Sequence, residues 1–235
     1  MDKATPFDYH EAFSRTLGWV TEAEMQILRH KRVAIAGAGG VGGLHLLTLT
    51  RLGLAHFNLA DLDTFELANF NRQAGAMMST LGRDKVEVMA AMARDINPEL
   101  ELRTFPGGIG PDNVAAFLQD VDLYVDALDF FACDARLAVF AECARRGIPA
   151  ITVAPLGMGA ALVNFLPGGM TFDAYFGMEG RTGLDRLVRF MVGLAPGPPM
   201  AAIWWRPGAW TWPASAGPPP PWGCTSAPAW PAPRP

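Results

Sequence analysis

The stretch Gly37-Ala38-Gly39-Gly40-Val41-Gly42 puts glycines where the backbone must pass close to something else. It follows the apolar run Arg32 to Ala36 and precedes the apolar stretch Leu44 to Leu52. A strand that turns into a helix through such a loop directs backbone N–H groups and the positive end of the helix dipole at phosphate oxygens. Side chains at the glycines would block that approach. Asp61 follows roughly 20 residues on, at the end of the run Phe57 to Ala60, where a carboxylate accepts hydrogen bonds from ribose hydroxyls. Together these residues point to a nucleotide. Nicotinamide and flavin enzymes share such a loop, and some glycine turns only let a strand pack tightly on a helix, so the loop alone leaves the ligand open.

The next segment is polar and cationic where a dehydrogenase would run into a helix: Asp61-Leu-Asp63-Thr-Phe-Glu66-Leu-Ala-Asn69-Phe-Asn71-Arg72-Gln73. Gly82-Arg83-Asp84-Lys85 opens the helix that follows, and Lys85 supplies a second cation able to face the same anion as Arg72. Either cation alone is an ordinary surface residue, and their joint placement carries the signal. Further along, Asp126-Ala-Leu-Asp129 closes another apolar run, and Asp129 is placed to cap the helix that begins near Cys133 or to face the cleft.

The elements that position these groups follow from periodicity. Phe7 to Arg29 predicts two short helices, with Thr21 and Glu24 as a capping box. Strands are expected at 32–37, 57–61, 100–105, 121–127 and 150–154, and helices at 44–52, 85–96, 113–119 and 133–146. Asn97-Pro98 ends the helix over 85–96. Strands alternating with helices imply an α/β, Rossmann-like three-layer fold with a mostly parallel sheet, right-handed crossovers and helices on both faces. Gly107 to Gly110 and Ala154 to Gly159 are expected as loops at strand ends, where a substrate could approach or where the chain simply turns.

Composition bounds the rest. With 235 residues, 50% of them hydrophobic and 18% charged, the chain can bury a full core. A net charge of -4 and a pI near 5.5 argue against an electrostatic grip on nucleic acid. The first residues are acidic and lack a secretory h-region, no apolar run reaches membrane-spanning length, and the expectation is a cytoplasmic protein without membrane partners. Cys133, Cys143 and Cys224 have no paired spacing and build neither a disulfide framework nor a Cys-x-x-Cys zinc site. From Pro196 to Pro235 the chain holds 13 of its 20 prolines and six of its seven tryptophans, with no Asp, Glu or Lys. That predicts three parts: a helical segment over 1–30, a nucleotide domain over 31–195, and a disordered or out-of-frame tail over 196–235.

The ordered set Gly37-x-Gly39-Gly40-x-Gly42, Asp61-x-Asp63, Asn69-x-x-Arg72-Gln73, Lys85 and Asp126-x-x-Asp129 resembles the signature of the ThiF/MoeB/HesA adenylyltransferases, relatives of ubiquitin-activating enzymes. The resemblance covers about residues 10 to 190. It implies that the glycine loop holds ATP, that Asp61 binds ribose, that Asn69, Arg72 and Lys85 contact the triphosphate, and that Asp129 engages Mg²⁺. Phe13-Ser-Arg15-Thr-Leu17 resembles the family stretch whose arginine reaches a neighbouring subunit's ATP site, which implies a homodimer with Arg15 as an arginine finger. The implied reaction activates a carboxylate, either the C-terminus of a small ubiquitin-like carrier or a small molecule, as an acyl-adenylate with release of pyrophosphate. The family's zinc-binding cysteine pairs and transfer cysteine have no counterpart here. An NAD(P)-dependent oxidoreductase and a non-catalytic nucleotide-binding partner subunit are the alternatives.

Overall fold

The computed structural model describes residues 6–156 and 159–194. The tail expected over 196–235 and Cys224 lie outside the described residues. In chain order the elements are α1 (Tyr9–Ala12), α2 (Glu22–His30), β1 (Arg32–Ala36), α3 (Gly40–Arg51), β2 (His56–Ala60), α4 (Lys85–Ile96) and β3 (Glu101–Phe105), then α5 (Val114–Phe117), β4 (Leu123–Asp126), α6 (Cys133–Arg146), β5 (Ala150–Leu156), β6 (Gly159–Phe165), α7 (Phe172–Phe176) and α8 (Gly183–Leu194). The strands form one six-stranded sheet in the order β3-β2-β1-β4-β5-β6. The first five run parallel and β6 returns antiparallel beside β5.

The period-two alternation of side chains on a strand divides the core in two. On β1, Val33 and Ile35 pack with Leu46 of α3 and Val86 and Met89 of α4, while Ala34 and Ala36 face the opposite side with Phe117 of α5 and Val139 and Phe140 of α6. Both faces are therefore covered, as a parallel sheet requires, and the fold is α/β and Rossmann-like. Alanines on the α5–α6 side leave room for the large rings of Phe117, Tyr124 and Phe140, which meet edge to face. A third small cluster of Tyr9, Phe13 and Met25 docks the N-terminal helices. Thr21 and Glu24 form the expected capping box at the start of α2.

Two expectations are corrected. Ala154 to Leu156 are strand, not loop, and Gly159 opens β6, with Leu156 and Gly159 paired in register. Pro and Gly there mark a hairpin between strands rather than the end of the sheet. Asp129 is not the N-cap of α6: that position is Ala132, without a side-chain cap, and Asp129 instead accepts the Phe131 amide at 2.9 Å in a local turn. Among the described residues no helix is long and apolar enough to cross a membrane.

Candidate functional site

The strand order reverses between β1 and β4, and the loops leaving the carboxyl ends of these neighbouring parallel strands open a crevice where α/β folds bind ligands. Gly37 leaves β1 with φ +98°, and a Cβ there would overlap the carbonyl oxygen of Ala127, which leaves β4. At Gly42 a Cβ would overlap the Gly37 carbonyl. Glycine is thus required for the two loops to touch. Gly39 caps α3 with no side chain of its own to satisfy the first turn, so the amides there await an outside acceptor and the helix dipole favours an anion.

Asp61, at the end of β2, braces this loop. One carboxylate oxygen accepts the Ala38 amide at 2.6 Å and the other accepts the Asp63 amide at 2.8 Å. Asp63 then pairs with Lys85, whose Nζ lies 3.0 Å from its carboxylate. Lys85 opens α4 and its side chain is 8% exposed, whereas that of Asp63 is 58% exposed. The lysine is held at the cleft wall through a partner that water reaches.

The segment between β2 and α4 folds over the glycines. Asn69 is buried, and its Oδ1 accepts the Glu66 amide at 3.0 Å, fixing a short 3₁₀ turn. That turn carries Arg72 and Gln73 onto the loop: a Cβ at Gly40 would meet the Arg72 backbone oxygen at 3.2 Å, and one at Gly39 would meet Gln73 Nε2 at 3.5 Å. Arg72 is exposed and donates to the Ala68 carbonyl at 2.8 Å and to Asn71 Oδ1 at 3.0 Å. The Gln73 side chain is buried, and its Oε1 has no hydrogen-bond partner among the described residues.

On the other side, the 127–132 loop places Asp129 at the surface of the crevice. Behind it lies a buried ion pair that the sequence motifs do not point to. Asp126 is 1% exposed and Arg136 3%, and the Arg136 Nε donates to Asp126 Oδ2 at 2.8 Å. Thr152 Oγ1 donates to the same oxygen at 2.7 Å. An aspartate inside the apolar run 121–127 was the legible signal, because a buried carboxylate demands a cation and further donors.

The structure thus brings Gly37, Gly39, Gly40, Gly42, Asp61, Asp63, Asn69, Arg72, Gln73, Lys85 and Asp129 to one end of the sheet. An anion above the α3 N-terminus would meet backbone amides there, with Arg72 and Lys85 on the segments that flank the loop. Arg15 is the exception. It is exposed, with no polar partner among the described residues, and stands two residues from Phe13, whose ring packs on Gly53 beyond the C-terminus of α3. Twelve helical residues, about 18 Å at about 1.5 Å each, separate that end from the glycine loop. Among the described residues no three His, Cys, Asp or Glu side chains cluster to hold a metal. Cys133, at the first turn of α6, has its thiol pKa raised by burial, and burial pushes Cys143 up to about 12. Neither is a thiolate at neutral pH. A cavity of about 210 Å³ bounded by Phe140, Cys143 and Phe172 lies beside the start of β5, at the opposite end from these residues, and no charged group lines it.

Comparison with known proteins agrees with this geometry. A tRNA threonylcarbamoyladenosine dehydratase of Escherichia coli strain K12 is 33% identical over 150 residues, covering 63% of this chain and 55% of the relative. The ubiquitin-like modifier-activating enzyme 5 of Drosophila melanogaster is 37% identical over 133 residues, covering 52% of this chain and 32% of the relative. The crystal structure of the E. coli dehydratase TcdA in complex with ATP superposes with a TM-score of 0.60 at 31% identity, covering 64% of this chain and 61% of that one. The chain spans a little over half the length of its curated dehydratase relatives. The model of the ThiF family matches residues 13–204, and with the fold and loop geometry above, this chain belongs to the ThiF family.

Proposed function

We propose that this chain binds Mg-ATP in the β1–β4 crevice and adenylates a carboxylate. The observation that carries the reading is the glycine cradle flanked by Arg72 and Lys85. Gly37 and Gly42 admit no side chain without overlap, and beside them Gln73 keeps a buried acceptor unpaired among the described residues. The glycines fit a phosphate group, and the free acceptor fits a hydroxyl or amino donor on the nucleoside part of the same ligand. The substrate carboxylate oxygen attacks the α-phosphorus, a P–O bond forms, and the bond to the bridging oxygen breaks, so that pyrophosphate leaves with the electron pair. No protein nucleophile is required. Arg72 and Lys85 hold the negative charge as it shifts toward the leaving group, and each is worth about 3 kcal/mol or more of barrier on the scale of an oxyanion-hole donor. Asp129 is the exposed carboxylate that would hold Mg²⁺, and the ion would neutralise phosphate charge there.

ATP–pyrophosphate exchange tests the reading. Arg72→Ala and Lys85→Ala should each lower exchange by about a hundredfold or more, and full activity in both would refute the assignment. Binding of ATP without exchange, with every acceptor tried, would favour a non-catalytic partner subunit. NADH binding in place of ATP would favour the oxidoreductase reading, which gives Arg72, Lys85 and Asp129 no role.

Arg15 supports a homodimer. Its tether to the far end of α3 keeps it from its own cleft, so only a second copy's cleft can receive it. Sedimentation should give twice the chain mass, and a monomer with full exchange activity would remove Arg15 from the mechanism. The relatives name two carriers of an activatable carboxylate, a ubiquitin-like modifier and a threonylcarbamoyl-adenosine in tRNA. The net charge of -4 favours a protein tail or small molecule over RNA. An ATP-dependent enzyme with unpaired thiols at Cys133 and Cys143 fits the cytoplasm.

A further inference from the structure

We propose that Arg136 is the positioning residue of the Asp129 loop, and that α8 holds it in place. The inference rests on the reading of Asp129 as the magnesium carboxylate. One buried guanidinium gathers three successive backbone carbonyls of the loop: those of Leu128 at 2.8 Å, Asp129 at 3.0 Å and Phe130 at 3.4 Å. Its Nε is fixed by Asp126, which Thr152 secures to β5. The face of the guanidinium is covered by the ring of Phe190 on α8, with Cζ 4.5 Å from the ring centroid. Arg186, also on α8, pairs with Asp134 of α6 at 2.8 Å.

A planar fork of donors can serve three carbonyls and one carboxylate together, and a lysine cannot. The start of the loop is held by its backbone, with the Ala127 amide donating to the Ala36 carbonyl of β1 at 2.9 Å and the Leu128 amide to Asp126 Oδ1 at 3.3 Å. Asp129 receives the Phe131 amide on its side chain and the Ala132 amide on its carbonyl, both within the same turn. Those local bonds shape the turn, but they do not fix it to the sheet. Arg136 ties the turn to β4, β5 and α8 at once, and so sets where the exposed carboxylate of Asp129 stands relative to the α3 N-terminus.

Arg136→Lys keeps a charge for Asp126 and loses the fork. In the nucleotide-free protein, hydrogen exchange at the Phe131 and Ala132 amides should accelerate about tenfold or more, with α6 amides beyond the first turn unchanged. The Mg²⁺ concentration giving half-maximal ATP–pyrophosphate exchange should rise by about tenfold or more, as for groups that orient metal ligands, while KM for ATP at saturating Mg²⁺ stays within about twofold. Phe190→Leu should move both readouts in the same direction by less, and carries the test if Arg136→Lys does not fold. Val139→Ala, a cavity one turn along α6, controls for lost stability and should move neither readout. Wild-type loop exchange and Mg²⁺ dependence in Arg136→Lys, or equal shifts in Val139→Ala, would overturn the proposal. A wild-type protein with no ATP–pyrophosphate exchange would instead remove the functional reading, and the amide-exchange result would still decide whether Arg136 orders the loop.

Discussion

The two ends of the same parallel sheet treat their charged residues in opposite ways. At the amino ends of the strands every strong charge is spent on structure. The Arg32 guanidinium donates to Asn58 and Glu101, its backbone amide donates to Asp122, and Lys31 pairs with Asp122 at 2.8 Å. Asn58, fully buried, passes the chain of bonds on to the Phe117 carbonyl at 2.6 Å. At the carboxyl ends the inventory is similar but incompletely satisfied. Among the described residues helix α3 begins on a glycine, Gln73 has a buried oxygen without a partner, Arg72 bonds only to its own turn, and Lys85 leans on an exposed aspartate. Charge content does not distinguish a functional end from a structural one. Nor does a lone unsatisfied atom, since Asn97 Nδ2 before β3 is also buried without a partner among the described residues; a glycine cradle that excludes side chains at an uncapped helix start does.

Substitutions at the two ends should therefore separate stability from activity. The largest effect is expected from Gly42→Ala, because the new Cβ meets the Gly37 backbone and Ala127. Relief requires opening the loop, at about 3 kcal/mol or more, so both the melting midpoint and nucleotide binding should fall, as calorimetry and titration would show. Next come Arg72→Ala and Lys85→Ala. A stability loss without a rate loss at Arg72 would place it among the structural charges and break the contrast. Arg32→Met, at the other end, orphans the buried Asn58 Oδ1 and should cost about 1–3 kcal/mol of stability in urea melts, leaving exchange per folded molecule unchanged.

The smallest effect lies at Glu142, which sits on the C-terminal half of α6. Hydrogen bonds from Arg145 and Arg146 lower its pKa from 4.5 to about 2. A carboxylate with a depressed folded pKa adds stability that is fully present above the unfolded value and lost as pH falls through the folded one. The window is pH 4.5 down to 2, and Glu142→Gln should flatten the fall in melting midpoint there while leaving neutral-pH activity unchanged.

Much of this arrangement was legible in the sequence. The run from Arg32 to Gly42 encodes strand, turn and helix by apolar periodicity and glycine alone, and α4 and α6 begin and end where the apolar spacing places them. The cleft residues fall where the order of motifs puts them because parallel strands deliver their carboxyl-end loops to one side. What escaped depends on contacts distant in sequence. Strand β6 and helix α7 lack a clean period: β6 opens on Gly and Ala, and α7 is five residues long. Helix α8 has a clear helical period that was legible in the sequence. Arg136 reads as one more helix cation until the fold buries it against Asp126 and Phe190. Asp61 reads as a ribose ligand, and the structure adds that it braces the loop by accepting the Ala38 amide. Arg15 is legible as a cation in a motif, but only the packing of Phe13 against Gly53 shows that it stands near the C-terminus of α3.

The most direct test of the central claim, that the carboxyl end of the sheet holds Mg-ATP, is a thermal melt of the chain alone, with Mg-ATP and with NADH, repeated on Asp129→Ala. A ligand at a hundredfold excess over its Kd adds about 2.7 kcal/mol, which raises the midpoint by several degrees in a protein of this size. Such a rise is expected with Mg-ATP, smaller in Asp129→Ala, and none with NADH. A midpoint that ignores Mg-ATP and rises with NADH would contradict it.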